Sequence, residues 1–165
     1  MHLAHLSDVS VESLRSPSGR YQVERLLLSQ HLGAPKDAPP SQGGHPFEVE
    51  VCRIPPGAIN WPLHQHSTQW EFFIVQAGEG VVETVDGRTP IRQGHFFMQP
   101  PHQAHHILNT GSEDLELLIV ANNSEADVTY YPNSGRWFIK PQRKMFKMQE
   151  ASHFYEWEDG DEAEG

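Results

Sequence analysis

From Phe47 to Asn122 the chain alternates short apolar–polar runs with turn signals so regularly that no helix of amphipathic length fits between them. FEVEVCRI (47–54) alternates with period two, the mark of a half-buried strand. PPG turns it, NWPLHQH runs extended, and STQ makes a loop. WEFFIVQA is a strand that GEG turns, and VVETV ends at a DG hairpin turn. TPIRQ and GHFFMQ are short strands, PPHQ turns, AHHILNT extends, GSED turns again, and LELLIVAN closes the series. About seven or eight short strands at even spacing predict an all-β sandwich or barrel.

The flanks have a different texture. Residues 1–46 read as an N-terminal arm and loop: loosely organised to about residue 19, then RYQVERLLLSQHL as a strand with a bend or a short helix, then the Gly- and Pro-rich GAPKDAPPSQGGHP. With the barrel assigned to 47–122, residues 123–165 form a C-terminal extension. DVTYYPNSGRWFIKP is aromatic and turn-rich, and RKMFKMQEASHFYEWE suits a short helix or an extended flap. Six of the 22 acids fall in the last ten residues, so EWEDGDEAEG is expected to be a solvated tail. Without those six the net charge of -10 becomes an ordinary -4.

Several classes of function are disfavoured by composition. There is no basic stripe for nucleic acid. No apolar run approaches the roughly 18 residues of a membrane span, and the N-terminus lacks the pattern of a signal peptide. The single Cys52 cannot form an intramolecular disulfide, so a cytoplasmic location is expected. Cys52 itself reads as a small buried residue, with no base evident to make it a nucleophile. The motifs of α/β-hydrolases, P-loop proteins, dinucleotide-binding folds and zincins are missing. Eleven histidines, four of them between His95 and His106, raise the expectation of a metal site.

That expectation centres on HQHSTQWE, residues 64–71. In an extended strand, positions i and i+2 share a face, so His64 and His66 project together, about 6.6 Å apart along the backbone. Glu71 opens the next strand and comes back beside them if the two strands pair antiparallel. A fourth ligand has to come from elsewhere, and His105 in PPHQAHHILN is the best candidate. Three nitrogens and a carboxylate oxygen suit one borderline divalent ion: Fe, Mn, Ni, Cu or Zn. Ca and Mg want more oxygen. Burying these groups without a partner is costly.

The same residues resemble the two motifs of the cupins. Gly57 is followed by AINWPL, His64, Gln65, His66, STQW, Glu71, FFIVQA and Gly78. The leading glycine stands one residue further from the first histidine than is usual. Gly94 is followed by HFFMQ, Pro100, Pro101, His102, QA, His105, HIL and Asn109, with His102 where a second glycine is usual. The resemblance covers about residues 45–121. It implies a small jelly-roll β-barrel with the metal held inside by His64, His66, Glu71 and His105, and a homodimeric assembly.

Similarity to cupins implies a metal-dependent enzyme acting on a small organic substrate, with dioxygenase-type oxidoreduction favoured. A sugar-type isomerase or decarboxylase is the alternative, and a non-catalytic metal-dependent binding protein a third possibility. Glu71 is the one candidate proton acceptor. Asn60, Phe73, Val75, Met98 and His102 are expected to line the substrate pocket. His95 and His106 are expected at the surface or an interface. Arg53 and Arg92 are the basic residues nearest the motifs, and neither clearly faces inward, which argues against a strongly anionic substrate.

Overall fold

Alternation of buried and less buried positions along the central strands accompanies a barrel-like stack of antiparallel sheets. The computed structural model describes residues 1–36 and 38–147. The acidic tail, and the part of the flap beyond Lys147, lie outside the described residues. Two strands precede the expected barrel, β1 (Val11–Arg15) and β2 (Gln22–Leu27), and a single helical turn, α1 (Leu28–His31), follows them. Residues 20–32 are thus a strand ending in one turn of helix. The barrel strands are β3 (Phe47–Ile54), β4 (Gln65–His66), β5 (Glu71–Ala77), β6 (Glu79–Thr84), β7 (Gly87–Arg92), β8 (Phe96–Gln99), β9 (His105–Asn109) and β10 (Leu115–Asn122). Three more strands follow: β11 (Asp127–Tyr131), β12 (Arg136–Lys140) and β13 (Lys144–Lys147).

These strands form three sheets, ordered β1-β2-β3-β10-β5-β8, β13-β12-β11-β4 and β7-β6-β9. The all-β jelly-roll architecture expected from the sequence is therefore present. β10 lies between β3 and β5 and buries Leu115, Leu117, Ile119 and Ala121 on one face. Leu115, Leu117 and Ile119 join Ile54, Phe73, Val75, Val82 and Ile107 in the core cluster. Each large aliphatic side chain so buried contributes on the order of 2 kcal/mol.

The segments outside the motifs join the same sheets. β2 pairs with β3 across four residue pairs, from Glu24 with Arg53 to Leu27 with Glu50. Arg25 of β2 reaches back to Glu50 and Glu12, and its guanidinium carbon lies 5.5 Å from the centre of the Trp61 ring. β11 pairs with the two-residue β4, Thr129 opposite His66 and Tyr130 opposite Gln65.

The strand phase corrects two expectations. Met98 does not line the pocket: β8 turns Phe97 and Gln99 inward, leaving Phe96 and Met98 71% and 49% exposed on the outer side. Val75 packs in the core away from the cavity.

Candidate metal centre

His64 and His105 face each other directly. His64 N–H donates to the His105 carbonyl at 3.2 Å, and His105 N–H donates back to His64 at 2.9 Å. His66 follows in β4. Glu71 does not return beside these histidines by pairing with β4. β4 pairs with β11, whereas β5 pairs with β8 and β10, so Glu71 approaches from the opposite sheet. One donor atom each from His64, His66 and Glu71 lies within 4.8 Å of the others. Glu71 Oε2 is 3.1 Å from His105 Nε2 and 3.8 Å from His66 Nε2, and the His64 and His105 ring centroids are 4.9 Å apart. Three of the four sequence-predicted ligands, His64, His66 and Glu71, thus form one cluster, and the fourth, His105, lies against Glu71.

The imidazoles are oriented by what their other nitrogens touch. His64 Nδ1 donates to the Pro62 carbonyl at 2.9 Å, and His105 Nδ1 donates to Gln103 at 3.3 Å. His66 Nδ1 lies 2.6 Å from Asp127 Oδ2. Carbonyl and carboxylate oxygens only accept, so Nδ1 carries the proton in each ring. In the neutral imidazole Nε2 is then a bare lone pair. Buried Glu71 Oε2 has no hydrogen-bond donor, although His105 Nε2 is near. Lone pairs therefore face lone pairs, and a cation is the partner such a group lacks. The donor set, nitrogens with one carboxylate oxygen, suits a borderline divalent ion.

The charge states agree with that role. Burial, reinforced by the neighbouring His105, pushes the His64 imidazole down to about 4, so it stays neutral near neutral pH. Burial pushes the Glu71 carboxyl up, and only positive charge or a donated proton from the surrounding histidines lowers it, so with neutral imidazoles a nearby cation is what keeps it ionised. Asp127 is likewise pushed up by burial, yet His66 and Thr68 keep it well below the usual carboxylate range.

The cluster lies in a cavity of about 420 Å³. Asn60 and Phe73 line it, as expected. Asn60 is also structural, since its Oδ1 accepts from Ile107 N–H at 2.8 Å. His102 does not line it: the residue is exposed in a turn with φ 66°, the conformation a glycine takes more easily. His95 is exposed. His106 corrects the surface expectation. It is 6% exposed, on the opposite face of β9 from His105, with Nε2 3.7 Å from Glu83.

Sequence reasoning missed one wall of the cavity. Thr129, Tyr131, Phe138 and Lys140 come from the C-terminal strands, Arg143 from the turn between β12 and β13, and Arg25, Glu48 and Glu50 from β2 and β3. The Tyr131 ring stacks on His64, with centroids 6.0 Å apart. Basic residues therefore do line the cavity, contrary to the reading from Arg53 and Arg92. They are remote in sequence, and no spacing rule links them to the motifs.

Residues 50–121 match the sequence profile of the cupin domain. An oxalate-binding protein of Thermotoga maritima is 35% identical over 68 residues, which is 41% of this chain and 55% of that protein. The match thus spans about half the length of that relative. Among solved structures, a sugar phosphate isomerase from Silicibacter pomeroyi superposes with a TM-score of 0.74 at 19% identity, covering 92% of this chain and 96% of that one. The polyketide cyclase RemF from Streptomyces resistomycificus superposes with a TM-score of 0.59 at 18% identity, covering 75% and 80%. At these identities the superpositions establish the fold. With both motifs and the barrel fold agreeing with the profile match, residues 50–121 are a cupin domain.

Proposed function

We propose that this chain is a metal-dependent enzyme acting on a small, oxygen-rich organic acid or hydroxy acid at the barrel centre. One observation carries the reading: His64, His66, Glu71 and His105 converge in a cavity that also holds Arg25, Lys140 and Arg143. The four converging residues would hold one divalent ion, of Fe, Mn, Ni, Cu or Zn. Such an ion, when bound, supplies Lewis-acid polarisation and a template for substrate oxygens.

The chain's own residues supply the rest. Lys140 offers a cationic donor for a carboxylate. Glu48 and Glu50 on the same cavity limit how much negative charge a ligand can bring. Burial raises the Tyr131 phenol, with Asp127 adding to the shift, so its hydroxyl stays protonated as a hydrogen-bond donor. Phe73, Ile119 and Phe138 give the cavity an apolar side. A compact polar substrate suits this lining better than a large aromatic one. Isomerisation or decarboxylation is therefore favoured over dioxygenation.

A second reading, binding without turnover, is favoured by the oxalate-binding relative. The test is calorimetric titration of metal-loaded protein with oxalate, a minimal chelating dicarboxylate, followed by an activity screen on small hydroxy acids. Oxalate binding by loaded wild type and not by His64→Ala supports an acid-binding metal site. A loaded protein indifferent to oxalate and to every acid screened overturns it. Turnover in the screen selects the enzyme, and binding alone selects the second reading.

A further inference from the structure

Asp127 lies outside both motifs and beyond the matched residues 50–121, yet its carboxylate side chain is 2% exposed beside the metal-ligand cluster. Its two oxygens have separate partners. Oδ1 accepts from the Ser67 N–H at 3.1 Å and the Thr68 N–H at 2.9 Å, and from the hydroxyls of Ser67 at 3.2 Å and Thr68 at 3.1 Å. Oδ2 accepts from His66 Nδ1 at 2.6 Å, with the Thr129 hydroxyl at 3.4 Å. His64 and His105 are oriented by backbone carbonyls close in sequence. His66 is oriented by a side chain 61 positions away. Its own strand is two residues long and, among the described residues, pairs only with β11, the strand that Asp127 opens.

We propose that Asp127 is the positioning residue for His66: its Oδ2 fixes the ring plane and keeps the proton on Nδ1, so that Nε2 is presented to the ion, while its Oδ1 ties down the 67–68 loop. β11 is thereby part of the metal site, although it lies outside the motifs that define the barrel. The inference rests on reading the cluster as a metal centre. A partner that orients a metal-bound histidine typically sets affinity by about 10- to 100-fold.

The substitution Asp127→Asn separates the two oxygens. Asn keeps an acceptor for the loop N–H groups, but its amide places a donor against the Nδ1–H of His66. The ring must turn, or move its proton to Nε2, where an ion has to displace it. The comparison variant is Thr68→Val, which removes loop hydroxyl contacts, including the 2.8 Å bond to the Ala126 carbonyl, without touching His66. The probe is Co(II), with affinity measured by chelator competition and the site read from its visible absorption spectrum.

The expected result is a Co(II) affinity about 10- to 100-fold weaker in Asp127→Asn with an altered spectrum, and within about twofold of wild type in Thr68→Val. A folded Asp127→Asn that binds Co(II) as wild type does overturns the proposal. So does an equal loss in both variants, which is what a purely structural tie would give. Nitrogen-15 NMR of metal-free wild type provides a check that needs neither folding of the variant nor bound metal. The His66 proton is expected on Nδ1, and finding it on Nε2 overturns the proposal. Absence of Co(II) binding in wild type would instead refute the metal site itself, leaving the tautomer measurement to judge Asp127.

Discussion

At the scale of single residues, the motif positions do two separate jobs. Asn109 closes the second motif and is fully buried. Its amide donates to the carbonyls of Ile54 at 2.7 Å and Glu113 at 2.8 Å, and its Oδ1 accepts from Gly111 N–H at 2.9 Å. It ties β9 to the end of β3 and to the following turn and is not a ligand. Asn109→Ala leaves buried backbone groups unpaired and is expected to cost about 3 kcal/mol in urea denaturation. Retained stability would mean that the turn has other support. Cys52 gives a second residue-level expectation. It is fully buried, and burial pushes its thiol well above the usual range. A thiol reagent at pH 8 should leave the native protein unmodified and react fully only after denaturation. Rapid native labelling would contradict this packing.

The ligand residues were legible because their spacing is local and periodic. Asp127 was not, because no sequence rule joins it to His66 across 61 positions. His106 was misjudged because strand alternation says only that it points away from His105. Whether that face is covered depends on β6, where Glu83 sits opposite it.

At the scale of elements, turns fix the register and the central strand holds the sheet. Gly78 joins β5 to β6 with φ 79°, and a Cβ there would stand 2.5 Å from the Asp114 carbonyl oxygen. Both the conformation and the close approach require glycine. Gly78→Ala is expected to destabilise the protein by about 2–3 kcal/mol, seen as a lower thermal midpoint. A neutral result would show that the turn can shift without strain. Hydrogen exchange should rank the strands. β10, paired on both sides and buried on alternate residues, is expected to be among the slowest. β13, exposed at all four residues and at the edge of its sheet, should exchange fastest in that sheet. Reversal of that order would contradict the sheet assignment.

Period-two alternation made the strands from Phe47 onward readable, but not which face of each was inside. Met98 belongs to a four-residue strand, where one step of phase moves a side chain from cavity to surface. The pairing of the flanks was unreadable for a different reason. β2 and β11 pair with partners distant in sequence, and nothing in their own short patterns names those partners.

At the scale of the whole molecule, the outer side of the six-stranded sheet has an apolar end at its open edge. Phe96 is 71% exposed, Trp70 50% and Met98 49%, with the Phe72 and Phe96 rings 6.3 Å apart. The expected homodimer has its most suitable surface there, because contiguous exposed apolar side chains mark interaction sites. Sedimentation should give a dimer, and Phe96→Glu should shift it toward monomer. A monomeric wild type would leave the patch without that role. The core cluster contains none of the four ligands, so chelation should leave a folded protein with a reduced thermal midpoint, and unfolding on chelation would make the ion structural. The most direct test of the metal centre is elemental analysis of purified, folded protein beside His64→Ala and Glu71→Gln. Convergence of the four ligands predicts about one divalent transition-metal ion per chain in wild type, depleted in both variants. Wild-type protein that holds no metal after reconstitution, or variants that hold as much as wild type, would contradict it.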